Sequence, residues 1–177
     1  DAKEEDVWTK YGDIKLESEE EGKMKITANS GFPTAMLSGQ ALAKNGKYYF
    51  EFVLGSAGCM QLGFGDDEFK PDASQGEGIG DDAHSWGVDL LRMRKWGVWA
   101  KPYCNANWSK GDVVGCCLDI DDKRISYSLN GKDLGVAFED VEVSADGGLF
   151  PSVSVRNAAA REEYIRVYRA KRGEEEG

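Results

Sequence analysis

GDVVGCCLDIDDKRISYSLNGKDLGVAF, Gly111 to Phe138, is the stretch whose reading decides the fold. Val113 to Ile120 alternates, with Val114, Cys116, Leu118 and Ile120 on one face, as a half-buried strand requires. Asp121 and Asp122 supply turn chemistry. Arg124 to Leu129 then returns with Ile125, Tyr127 and Leu129 inward and Ser126 and Ser128 outward. Asn130-Gly131 is the strongest short hairpin signal, because a type I′ turn needs positive φ at both central residues. Lys132 to Phe138 follows as a third strand, completing an antiparallel meander.

The same period of two extends outward from the meander. Lys47 to Leu54 (KYYFEFVL) places Tyr48, Phe50, Phe52 and Leu54 on one face and Tyr49, Glu51 and Val53 on the other. Cys59 to Phe64 follows a Gly-containing turn and is expected to pair back on it as a hairpin. Leu149 to Val155 and Tyr164 to Tyr168 are further strands, and Pro151 places the start of the former at an edge or a bulge. The best helical candidate, Asn157 to Glu163, is at most two turns long. About a dozen short strands with Gly, Asp and Asn turns predict an all-β fold, an antiparallel β-sandwich of two sheets.

The chain has 177 residues with 41% hydrophobic and 31% charged types, the composition of one globular domain. Residues 1–6 are expected to fray, 7–170 to form the domain, and 171–177 to be a charged tail or linker. The N-terminus lacks a signal or transit pattern and an initiator Met, so the sequence reads as a domain of a longer protein. Twenty-two basic against 32 acidic residues give a net charge of −10, which argues against nucleic acid or an anionic membrane as a partner. A partner with basic residues is favoured instead. No run approaches the ~20 apolar residues of a spanning helix.

Catalytic and metal chemistry finds little support. Cys59, Cys104, Cys116 and Cys117 include no CxxC pair, and adjacent Cys116 and Cys117 point to opposite faces of a strand. Free thiols in a reducing compartment are the expectation, which places the protein inside the cell, in the cytoplasm. His84 is the sole imidazole for a nucleophile–base pair, and it sits just before an aromatic strand as an exposed or capping residue. Asp66-Asp67-Glu68 and Asp81-Asp82 read as loop and turn carboxylates. Asp119 to Asp122 lacks the glycine and glutamate of a calcium loop, and neither GxGxxG nor GxxxxGK[ST] occurs. Trp8, Trp86, Trp96, Trp99 and Trp108 are expected mostly in the core. No cofactor, metal or catalytic residue is expected.

Five ordered segments together resemble the SPRY domain family. Gly111 to Phe138 resembles its core signature, GKYYFEF at Gly46 to Phe52 its "GKxYxEV" strand, and MQLGFG at Met60 to Gly65 its "xxVGW" strand. HSWGVDLLRMRKW at His84 to Trp96 and GLFPSVSV at Gly148 to Val155 resemble its "SxGxDGxxxxxW" and "LFPxVSL" segments. The likeness is strong over residues 46–155. Gly78 to Trp86 and Pro102 to Cys116 are most similar to the SPRY repeats of ryanodine receptors and giant ubiquitin ligases, and HSWGVDL to SOCS-box SPRY proteins. YIRVYRAKR stands where the family often has another ending, and a PRY-type signature is not evident, which points away from the immune-type subfamily. The resemblance implies a bent, concanavalin-like jelly-roll sandwich without catalytic activity that recognises other proteins through loops at one end.

Three long connections are the expected recognition elements: Asn29 to Gln40, Asp66 to Ala83, and Ala100 to Trp108 with Tyr103. By the resemblance, partner-binding positions are Gly31, Phe32, Pro33, Thr34, Ile79, Arg156 and Asn157. A few aromatics, an Arg and a polar rim are what a peptide hot spot needs. The function expected is a non-catalytic, monomeric module binding a protein or peptide within a larger protein such as a ubiquitin ligase. The alternative is a packing domain inside a channel or giant assembly, and an enzyme or lectin comes last.

Overall fold

The computed structural model describes residues 8–19, 23–38, 46–56, 58–143 and 147–156, and the backbone of 163–168. Its strands are β1 (Trp8–Tyr11), β2 (Ile14–Ser18), β3 (Lys23–Ala28), β4 (Thr34–Leu37), β5 (Lys47–Val53), β6 (Met60–Gly65) and β7 (Ser85–Asp89). They continue with β8 (Arg94–Gly97), β9 (Trp99–Pro102), β10 (Val113–Asp119), β11 (Arg124–Leu129), β12 (Lys132–Phe138), β13 (Phe150–Val155) and β14 (Glu163–Tyr168). A single 3-10 turn, Ala73–Gln75, interrupts the strand pattern of the described residues. The strands form two antiparallel sheets of seven, ordered β1-β4-β13-β6-β7-β8-β9 and β12-β11-β10-β5-β14-β3-β2.

The meander forms as its alternation predicts. Val114, Cys116, Leu118, Ile125 and Tyr127 are buried against Phe50 and Phe52 of β5. Asn130 and Gly131 both take positive φ, 52° and 84°, in a two-residue turn closed by the Leu129–Lys132 pair. Asn130 adds two bonds of its own: Oδ1 accepts from the Val113 amide at 2.9 Å and Nδ2 donates to Asp112 at 3.0 Å. Facing this layer across the core lie Met60, Leu62, Phe64, Val88, Val153 and Val155 of the other sheet. Tyr127 ties the layers together, its hydroxyl donating to the Leu62 carbonyl at 3.0 Å.

Several expectations change. Residues 59–64 do not fold back on β5; β6 crosses to the opposite sheet and pairs with β13 and β7. Every residue of β6 is buried, as in a central strand covered on both sides, so alternation could not reveal its partner. The connection Asn29 to Gln40 contains β4, likewise wholly buried. β13 is interior rather than an edge, yet β4 pairs with it only from Ser152 onward, so Pro151 has a ladder partner on the β6 side alone. The expected frayed segment 1–6, the tail 171–177 and helical residues 157–162 lie outside the described residues, while Glu163 opens β14.

The outward border of β12 is occupied. Gly135 accepts at its carbonyl from the Tyr103 hydroxyl at 2.6 Å, and Ala137 accepts from Lys95 Nζ at 2.6 Å. The Gly135 amide donates to Asp133 Oδ1 at 2.9 Å. Side chains from β8 and the β9 exit thus cap a strand whose backbone would otherwise be open to another chain.

Candidate interaction face

Residues 66–84 do not stand free in solvent. They fold back over the outer face of the β1–β9 sheet, where Phe69 and Ile79 pack with Met36 and Phe150 in a second buried cluster. Ser154 anchors the fold-back. In β13, Ser152 and Ser154 alternate with core residues Val153 and Val155, so both serines face outward, yet neither is exposed. Ser154 Oγ accepts from the Ile79 amide at 2.9 Å and shares a 2.7 Å hydrogen bond with Thr34 Oγ1. Gly78 fits because it lacks a Cβ, which would stand 2.5 Å from the Phe32 ring and 2.7 Å from Ser154 Oγ.

Phe32 is therefore a foundation rather than a contact surface. Only 5% of it is exposed, and the Arg156 guanidinium lies 5.8 Å from its ring centroid, within cation–π reach. Pro33 is buried, its carbonyl accepting from the Val155 amide at 3.1 Å. Gly31 and Arg156 are exposed; Thr34 and Ile79 are fully buried. Five of the expected positions thus gather around Ser154, namely Phe32, Pro33, Thr34, Ile79 and Arg156, while Gly31 lies beside the Ala73 carbonyl. Tyr103 does not join them, since it packs edge-on against Tyr127 at 6.1 Å with its hydroxyl committed to β12. Asn157 lies outside the described residues.

The rim was not foreseen. The Arg156 amide donates to the Cys59 carbonyl at 3.0 Å, and Arg92 reaches Cys59 Sγ at 3.7 Å while lying 5.1 Å over the Trp96 ring. Arg92 Nε also donates to the buried Asp89 carboxylate. Gln61 pairs with Ser154 in register, is 3% exposed, and its Oε1 has no hydrogen-bond partner. The sequence signal for this rim is the alternation of PSVSV, in which small polar residues on a strand's outer face mark a surface covered by chain rather than water.

The covering loop is held by its own carboxylates. Asp81 accepts from the Gly78 amide at 2.7 Å; burial nevertheless pushes its carboxyl above the usual range. Asp82 accepts from the His84 amide and the Ser85 hydroxyl, and Ser85 Oγ accepts from the Gly80 amide. His84 Nδ1 lies 3.0 Å from Asp66 Oδ2, and that hydrogen bond holds the imidazole pKa above the usual 6.5. The folded pKa exceeds the unfolded one, so the pair's contribution is present below about pH 6.5 and is lost as pH rises through the folded value. An NMR titration of His84 is expected to show a midpoint above 6.5 that moves back toward it in Asp66→Asn. A midpoint unchanged by that substitution would contradict the pairing.

Burial raises the Cys116 and Cys117 thiols, disfavouring a thiolate at either. Among the described residues no three His, Cys, Asp or Glu side chains are grouped to hold a metal.

The SPRY domain family model matches residues 47–166, about two thirds of the chain. The chain belongs to the SPRY domain family. Its SPRY region is 34% identical over 111 residues to the E3 ubiquitin-protein ligase RKP of Arabidopsis thaliana, covering 62% of this chain and 8% of that protein. It is 29% identical over 119 residues to "Probable ATP-dependent RNA helicase ddx1" of Dictyostelium discoideum, covering 64% of this chain and 14% of that protein. The chain thus spans a small fraction of either relative's length. Among solved structures, the SPRY domain of human HERC1 superposes with a TM-score of 0.67 at 17% identity, over 89% of this chain and 95% of that one. That likeness concerns the fold. SPRY domains are typically protein-interaction modules, and ubiquitin ligases are among the relatives of this one.

Proposed function

We propose that this SPRY domain binds a peptide or a neighbouring domain through the face built on Ser154, without catalysing a reaction, as one part of a longer protein such as a ubiquitin ligase. The observation that carries this reading is the platform beneath Arg156. Its guanidinium lies over a buried ring whose backbone is fixed through Pro33 and Thr34, so it is presented with little freedom left to lose on binding. Arg92, stacked on Trp96, extends the face toward β7 and β8. Arginine and aromatic groups on a rigid frame are what interface hot spots are made of.

Four free cysteines accord with a reducing, intracellular setting, and among the described residues no helix is long and apolar enough to cross a membrane.

The test is affinity capture of a partner from an extract of the source cells, followed by titration with variants. Arg156→Glu is expected to weaken binding at least tenfold while leaving the melting temperature unchanged, because the side chain is exposed. Trp99, 74% exposed beside Val98 at 40%, favours the second reading, in which the domain packs broadly against its neighbours. Binding that ignores Arg156→Glu but is lost in Trp99→Ala would replace the first reading with that one.

A further inference from the structure

A second surface lies on the opposite side of the molecule, on the outer face of the β12–β2 sheet. Tyr49, Cys117, Ser126 and Val136 stand in one cross-strand line over β5, β10, β11 and β12. Small residues at the middle two positions and larger ones at the ends leave a trough, with a cavity of about 320 Å³. Gly115 keeps it open: a Cβ there would stand 2.6 Å from the Tyr49 hydroxyl and force that ring to move. Tyr49 is held along the sheet by donating to Glu51 Oε2 at 2.7 Å. Val136, the far wall, is 44% exposed, a large apolar side chain left to water.

The next line across the sheet is Lys47, Asp119 and Arg124. Asp119 is engaged by the turn, where its Oδ1 accepts from the Asp122 amide at 3.0 Å. Among the described residues, neither Lys47 nor Arg124 forms an ion pair. Two exposed cations that form no ion pair, with Asp119 between them in register, thus flank an apolar trough in a chain of net charge −10.

We infer that this trough is a second docking surface for an extended acidic peptide of a partner protein. It seats one apolar side chain above Cys117, between Tyr49 and Val136, with a neighbouring Asp or Glu on Arg124 and Lys47. Charge complementarity selects the acidic character. The open trough selects a peptide over a free small acid: small ligands need roughly 70–90% of their surface covered, and a trough lined by one sheet leaves its top open. A peptide anchored on both sides of the trough tolerates that exposure. It lies across the sheet face rather than extending it, because the β12 carbonyls at Gly135 and Ala137 are already engaged.

The experiment selects a displayed random-heptapeptide library on the wild-type chain, with an Arg124→Glu/Val136→Asp variant for counter-selection. Enriched peptides are expected to pair Asp or Glu with Leu, Ile or Phe, to bind Arg124→Gln at least tenfold more weakly, and to bind Arg156→Glu as tightly as wild type. Matching melting temperatures for the single variants separate lost binding from lost folding. No enrichment, enrichment without acidic residues, or peptides that fail on Arg156→Glu but tolerate Arg124→Gln would overturn the inference. The last outcome would leave the Ser154-centred face standing.

Discussion

Gly63→Ala is expected to cost at least ~3 kcal/mol and to lower the melting temperature by roughly 6–12 °C. Gly63 lies at the centre of β6, paired with Gly87 of β7 and Ser152 of β13. A Cβ there would run into the Trp86 carbonyl oxygen and stand 2.9 Å from the Gly87 Cα and 2.8 Å from the Tyr127 hydroxyl. Two of these are backbone atoms of a strand paired on both sides, so relief requires the β6–β7 ladder to part. Gly76→Ala is the useful comparison. Nothing lies within 4 Å of its Cβ position, so it bears only the left-handed strain of φ 75°, about 1 kcal/mol. Differential scanning calorimetry on the pair is decisive: similar melting temperatures would mean that the two strands do not approach as closely as described.

Ser154→Ala comes next, at about 2–3 kcal/mol, with a larger local than global signature. Removing one hydroxyl deprives the Ile79 amide of its acceptor and Thr34 of its partner, both at buried sites. A buried donor left without an acceptor bears its full desolvation cost, and the cheapest response is for residues 77–80 to lift from the sheet. Amide exchange at Ile79 is therefore expected to accelerate far more than exchange in the β10–β12 meander. Any partner using Arg156 is expected to bind more weakly as well, because Phe32 and Gly78 share this anchor. Uniform loss of protection across both sheets would show instead that Ser154 supports the whole fold and not the covering loop.

How much of this was legible follows from the range of the interactions involved. The meander could be read because its contacts are local: alternation fixes the faces and Asn130-Gly131 fixes the turn. β4 hid inside an expected loop because TAML, buried on both sides, has neither alternation nor length. The pairing of β6 is not legible because one neighbour, β13, lies about ninety residues away and the other, β7, follows only after the covering loop, so no adjacent residue encodes either choice. The grouping of Phe32 to Thr34, Ile79 and Arg156 follows from the resemblance, whereas the burial of Phe32, Thr34 and Ile79 follows from Ser154, a small residue in a strand that carries no conspicuous signal alone. Tyr103 was misplaced for a related reason. An aromatic in a loop looks available until its hydroxyl is found on a strand edge.

The position of β14 has a consequence for how such a chain matures. β14 lies between β5 and β3, so the β2–β3 hairpin at the start of the chain joins its sheet only through a strand ending at Tyr168. During synthesis the β2–β3 hairpin must therefore wait, unattached along one border, until β14 has left the ribosome. Closure of this layer joins strands more than a hundred residues apart, and a nascent chain halted before Glu163 leaves the facing borders of β3 and β5 open.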